Sequence, residues 1–93
     1  MDARSIDNEL SVSPQIGVAD VAALAAAGFR SVICNRPDGE GADQPTFAEI
    51  KAAAEQAGLE ARYIPVVSGR VEDAAAESFG RAMHELPKPV LAY

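Results

Sequence analysis

Apolar positions along this chain recur with two different periods, and the changes of period divide it into elements. Glu9-Leu10-Ser11-Val12-Ser13 alternates polar and apolar residues, the period of a half-buried strand, and predicts an edge strand ended by Pro14. From Val18 to Ala27 the apolar residues take a helical spacing, and the many alanines let a sheet approach closely. Gly17 is placed to cap this helix at its start. Asp20 falls in the first turn, where a negative charge suits the helix dipole, and Gly28 can supply the left-handed residue that ends it. Ser31-Val32-Ile33-Cys34-Asn35 is a short β-branched run, a second strand, and the breaker-rich stretch Arg36–Pro45 is a loop.

The second helix carries the clearest marks. Thr46-Phe47-Ala48-Glu49 fits a capping box, Phe47, Ile50, Ala54 and Ala57 form one apolar stripe, and Gly58 ends the helix. Ala61–Val66 predicts a third strand, with Pro65 at a position where no N–H is needed. Val67-Ser68-Gly69-Arg70 reads as a turn. A third helix follows from about Val71 to Leu86, with Ala75, Phe79, Ala82, Met83 and Leu86 on one face. Gly80 inside it costs up to about 1 kcal/mol against Ala, which suggests that it permits a close contact. Pro87 and Pro89 stop the helix, and Val90-Leu91-Ala92-Tyr93 reads as a fully buried strand.

The helix-ending residues Gly28, Gly58 and Pro87 stand 30 and 29 positions apart, and each precedes a strand. That spacing fits βαβ units with right-handed crossovers. The expected architecture is a single α/β domain over residues 1–93, with a mostly parallel four-stranded sheet flanked by three helices. Residues 1–8 are polar and read as an arm or frayed end. Ligands of such sheets bind beyond the carboxyl ends of the strands. The strand Val90–Tyr93 has no residues after it, so a ligand-binding loop expected there is missing.

Composition narrows the partners. The chain has 93 residues, 48% of them apolar, with three Phe, two Tyr and no Trp, so the core is built from small side chains. A net charge of −6 argues against nucleic acid and anionic membranes, and any phosphate site has to be local. One Cys excludes an internal disulfide. One His and one Cys without clustered ligands argue against a bound metal, and no other cofactor is expected. The first residues lack the apolar core of a signal peptide, and the longest apolar run, Val21 to Phe29, is too short to span a bilayer; a cytoplasmic location is the expectation.

Five stretches together, Gln15-Ile16, Ala26–Glu40, Gln44–Phe47, Tyr63–Val66 and Pro89–Tyr93, resemble the phosphatase-like domain of beta-lactamase hydrolase-like proteins. Cys34-Asn35-Arg36-Pro37-Asp38-Gly39 is the most specific part. This bacterial family, sometimes labelled a sulfur transferase, is similar in fold to dual-specificity and tyrosine phosphatases. The resemblance implies a Cys-x-x-x-x-x-Arg loop directly after the strand Val90–Tyr93. Such a loop wraps a phosphate in backbone N–H groups and supplies a thiolate nucleophile. Neither its Cys, its Arg nor the following helix is among the 93 residues, so the chain looks truncated, and these residues alone are expected to be inactive.

The resemblance also implies a general acid on the loop after Tyr63–Val66. That loop offers no carboxylate before Glu72 and Asp73, whose plain reading is charge at a helix start. Asp73 is therefore one candidate acid. Asp38, after the second strand, is the other, against its reading as part of a loop-stabilising Asp-Gly turn. Arg36 and Ser68 are candidate phosphate contacts, Ser68 against a helix-capping role. Cys34 reads as an inert core thiol, His84 as a solvated residue at a helix end, and Gly39-Glu40-Gly41 lacks the context of a phosphate loop. Three functions are implied or left open. The first is hydrolysis of a small phosphate ester or phosphoprotein through a cysteinyl-phosphate. The second is sulfur transfer through a persulfide on the same Cys. The third is a non-catalytic module in which apolar surface left bare beside Val90–Tyr93 drives formation of a homodimer.

Overall fold

In the computed structural model, which describes residues 3–66 and 73–93, five strands and three helices follow one another. They are β1 (Arg4–Ser5), β2 (Leu10–Val12), α1 (Val18–Ala26), β3 (Ser31–Cys34), α2 (Phe47–Ala57), β4 (Glu60–Tyr63), α3 (Asp73–Glu85) and β5 (Val90–Ala92). The sheet order is β1-β2-β5-β3-β4. β2, β5, β3 and β4 run parallel, and β1 lies antiparallel on the outer side of β2.

The winding explains how the helices divide. β2 to β3 and β3 to β4 move one way across the sheet, and β4 to β5 moves back. Right-handed crossovers then put α1 and α2 on one face and α3 on the other. Side-chain alternation agrees. Val32, Cys34, Leu91 and Tyr93 pack with Val21 and Leu24 of α1 and Ile50 and Ala54 of α2. Ile33, Val90 and Ala92 pack with Ala82 and Leu86, and Phe79 and Met83 of α3 close over them. β5 is thus covered on both faces, and Val90 and Leu91 are fully buried. Fully burying one such side chain stabilises by roughly 1.5–3 kcal/mol, so this central strand is a large share of the core.

The helix ends use the residues that the sequence marks. Thr46 Oγ1 accepts the Glu49 N–H at 3.2 Å, and Glu49 Oε1 accepts the Thr46 N–H at the same distance. Gly58 ends α2 at φ +82°, a left-handed conformation that a side chain would strain. In α1 the Gly17 N–H donates to Asp20 Oδ2 at 2.8 Å. Arg62 on β4 donates to Glu85 at the end of α3 at 2.7 Å, and that hydrogen bond holds the Glu85 carboxyl below its ordinary value.

Several expectations need correction. The sheet has five strands, because the polar arm is partly a strand: Asp7 Oδ1 accepts the Glu9 and Leu10 N–H groups at 2.8 and 3.0 Å, and this turn folds Arg4–Ser5 back onto β2. β2 is consequently not an edge. β4 ends at Tyr63 and not at Val66, although the Ile64 and Val66 N–H groups still bond to Cys34 and Asn35; Pro65 stands between them with no donor. The face beside Val90–Tyr93 is not bare, since all four residues are at most 6% exposed. Gly80 permits no close contact, as a Cβ there would meet no described atom within 4 Å.

Candidate functional site

The carboxyl ends of β2, β5, β3 and β4 share one edge of the molecule. In chain order β3 is followed by α2 and β4 by α3, and these two helices pack on opposite faces of the sheet. Adjacent strands whose exits diverge in this way open a crevice at their carboxyl ends, where sheets of this type bind ligands. A cavity of about 440 Å³ lies there, lined by Asn35 after β3, Val66 after β4, and Ala75, Ala76 and Phe79 of α3. It is predominantly apolar, with the Asn35 amide as its polar side chain among the described residues.

Asn35 knits this edge together. Its backbone N–H donates to the Tyr93 carbonyl at 2.7 Å, its carbonyl accepts the Val66 N–H at 2.7 Å, and its Nδ2 donates to the Ile64 carbonyl at 2.9 Å. Tyr93 in turn donates its N–H to Ile33. The exit of β5 is therefore fixed one residue from Arg36. Nothing in the periodicity of the second strand singled out Asn35, because its bonds reach 29 residues forward to Ile64 and farther still to Tyr93.

The loop after β3 is folded by its own side chains. Asp38 is exposed at its surface, but its carboxylate accepts the Phe47 N–H at 2.8 Å, one of the unpaired donors at the start of α2. Its backbone N–H donates to the Tyr63 hydroxyl at 2.9 Å, and the Tyr63 ring stacks on Phe47 with centroids 5.0 Å apart. Gln44 closes the loop through Nε2 to the Pro37 carbonyl and Oε1 from the Gly41 N–H. Arg36, half-buried at the carboxyl end of β3, has Nη1 3.6 Å from Glu40 Oε1.

Of the four expected site residues, Arg36 and Asp38 thus stand on the same loop at the ligand end of the sheet. Asp73 opens α3, on the other side of the crevice. Ser68 lies outside the described residues. His84 is exposed in the last turn of α3, as read from the sequence.

Cys34 is buried, and burial pushes its thiol up from the ordinary value of 9.0; its Sγ–H donates to the Arg36 carbonyl at 3.2 Å. A thiol held protonated in this way is a poor nucleophile, which agrees with a core role. Tyr93 beside it is 6% exposed, and burial also raises its phenol above the ordinary 10.0. The Tyr93 hydroxyl has no hydrogen-bond partner among the described residues. Those residues contain no group of three or more possible metal ligands and no helix long and apolar enough to cross a membrane.

Residues 2–93 match the family described as beta-lactamase hydrolase-like protein, phosphatase-like domain. The chain belongs to this family. A beta-lactamase hydrolase-like protein of Agrobacterium fabrum is 38% identical over 93 residues, covering all of this chain and 22% of its own length. One from Xylella fastidiosa is 34% identical over 88 residues, 95% of this chain and 20% of its own. The chain therefore spans about a fifth of the length of the curated relatives it matches. Among solved structures, a proposed phosphatase of Neisseria meningitidis superposes with a TM-score of 0.88 at 38% identity, over 97% of this chain and 64% of that one. Tk-PTP, at 19% identity over 97% of this chain and 59% of its own, has a TM-score of 0.67 and shows the shared fold alone. The fold is that of the cysteine phosphatases, an α/β domain with a mixed five-stranded sheet and three helices.

Proposed function

We propose that this phosphatase-like domain contributes the scaffold of a hydrolase for phosphate monoesters, small esters or phosphoproteins, whose nucleophile is a cysteine immediately after Tyr93. The observation that carries this reading is the junction of β3 and β5. The Asn35 N–H bond to the Tyr93 carbonyl ties the exit of β5 to the loop that bears Arg36, at the edge where the family's thiolate loop is expected. A thiolate there would attack phosphorus, form a cysteinyl-phosphate and release the alcohol, which an acid protonates; water then releases phosphate. Arg36 and Ser68 are the proposed phosphate contacts. Because the Asp38 carboxylate is engaged with α2, Asp73 is the favoured proposed acid. No observation favours sulfur transfer. The burial of Val90–Tyr93 removes the surface on which the homodimer was expected.

The intact mass of the natural protein is the first test. A mass near 9.7 kDa would end the enzyme reading, because no residue here replaces the nucleophile. If residues follow Tyr93, the longer protein should hydrolyse an aryl phosphate and lose that activity when the first cysteine after Tyr93 is changed to Ser. Residues 1–93 alone should show no turnover. Turnover by residues 1–93 that survives Cys34→Ala would overturn the proposal.

A further inference from the structure

Two arginine ion pairs in this chain differ in a way that bears on phosphate. Arg62 is committed: its Nη1 lies 2.7 Å from Glu85 and donates a hydrogen bond. Arg36 is loosely held. Its Nη1 is 3.6 Å from Glu40, longer than the roughly 2.7–2.9 Å of a charge-assisted hydrogen bond, and its guanidinium makes no hydrogen bond to a described residue. Both side chains are partly exposed, at 41% and 38%. An exposed pair of this kind contributes little, so a better anion can displace the carboxylate.

Position gives this difference its meaning. Among the other described cations, Arg4 lies opposite Val12 at the same edge but on the outer strand β1, three strands from β3; Lys51, Arg62 and Arg81 lie within elements, and Arg30 and Lys88 precede β3 and β5 at the opposite edge of the sheet. Arg36 stands one residue after the Asn35 link to Tyr93, at the ligand edge. The chain as a whole repels anions, with a net charge of −6. The other carboxylates of the same loop do not compete for Arg36 in the same way. Asp38 is bonded to the Phe47 N–H, and Asp43 makes no ion pair with a described cation.

We infer that Arg36 is an anion-binding residue for the phosphate group and that Glu40 is its built-in counter-ion, occupying the guanidinium until a phosphate takes its place. The inference deepens the phosphatase reading and rests on it for its biological meaning. Arginine suits the role because its planar fork can donate to two phosphate oxygens in place of one carboxylate contact. The exchange is non-covalent: the Arg36–Glu40 contact opens, phosphate oxygens take the N–H donors, and Glu40 returns to water. Glu40 therefore sets a threshold. It weakens binding of any single phosphate and leaves the arginine neutralised when the site is empty.

The test uses the 93-residue chain and needs no catalysis. Inorganic phosphate is titrated into wild type, Glu40→Gln and Asp43→Asn while the Arg36 Nε–H resonance is followed by ¹H–¹⁵N NMR, with Arg62 and Arg81 as internal controls. The expected result is a phosphate-dependent shift at Arg36 with a midpoint below those of Arg62 and Arg81. Glu40→Gln should lower that midpoint about two- to fivefold, the range that loss of an exposed pair can supply. Asp43→Asn removes the same charge from the same loop and should leave the midpoint within about 1.5-fold, because it does not touch Arg36 and exposed charges are screened.

An equal fall in both variants would make the effect one of bulk charge and overturn the role of Glu40. Shifts of all three arginines at one midpoint would mean non-specific anion binding and would overturn the site. Failure of the phosphatase reading shows elsewhere, as absence of turnover by the longer protein, and does not alter these midpoints. Where turnover exists, Glu40→Gln should lower KM for an aryl phosphate by the same factor with kcat unchanged. In an Arg36→Ala background it should do nothing further.

Discussion

Replacing Asp38 by Ala should destabilise the domain, because its carboxylate caps α2. Asp38 Oδ1 accepts the Phe47 N–H at 2.8 Å, from nine residues away. The adjoining capping box satisfies different donors, the N–H groups of Glu49 and Thr46, so the two devices do not replace each other. Loss of a capping side chain costs about 0.5–2 kcal/mol, and an exposed negative charge at a helix start adds about 0.3–1 kcal/mol. Asp38 is exposed, so water can solvate the abandoned Phe47 N–H and keep the loss toward the lower end. The expected loss is about 1 kcal/mol, which is about 4–8 °C in the melting temperature of a domain this size. Asp38→Asn retains an acceptor and should lose less than half as much. Urea unfolding followed by circular dichroism, with the slope unchanged, measures both. A stability of Asp38→Ala equal to wild type would refute the cap, and so would an Asn variant as damaged as the Ala variant. Either result would free the carboxylate for the acid role that the cap now takes from it.

Four further outcomes follow from burial and backbone geometry. Gly80→Ala should raise stability by up to about 1 kcal/mol in the same urea experiment, since Gly80 lies inside α3 with open space at its Cβ. Leu91→Ala, in the strand covered on both faces, should cost about 2–5 kcal/mol and at the upper end leave little folded protein at 37 °C. Native Cys34 should resist iodoacetamide and react only in denaturant, as read by intact mass, because burial keeps the thiol protonated. Stability should fall as pH rises above about 9–10: buried Cys34 and Tyr93 have folded values raised above their ordinary 9.0 and 10.0, so the unfolded chain loses those protons first.

What could be read from the sequence was what short-range chemistry determines. The Thr46–Glu49 box, the left-handed Gly58, the Asp20 charge in the first turn of α1 and the apolar face of α3 each involve residues within a few turns of one another. The cysteine-phosphatase fold was legible through the Cys34–Gly39 run together with the βαβ spacing. β1 was not, because Arg4 and Ser5 are exposed on both faces and carry no apolar signal; a two-residue pairing made by a turn at Asp7 leaves no periodicity. The insertion of β5 between β2 and β3 was equally hidden, since strand order depends on contacts far apart in sequence. That order determines burial: the expectation of bare surface assumed a face without its covering helix, but a strand in this central place is covered by α1 and α2 on one face and α3 on the other.

The same strand order places the candidate site, and it explains why some site residues are better supported than others. Once β5 lies beside β3, the residue after Cys34 must bond to the end of β5, and Asn35 does so through its backbone. A backbone bond is insensitive to the side chain, so this link fixes where the chain leaves β5 whatever stands at position 35. The Asn35 side chain instead ties β3 to β4 across the point where the two exits part. Arg36 inherits its position from the first link and its freedom from the weakness of its contact with Glu40. Asp38 inherits its position from the second helix, which uses up its carboxylate. Two charged residues two positions apart on one loop thus divide into one loosely held by an exposed carboxylate and one committed to the fold, a division set by hydrogen bonds and not by residue type.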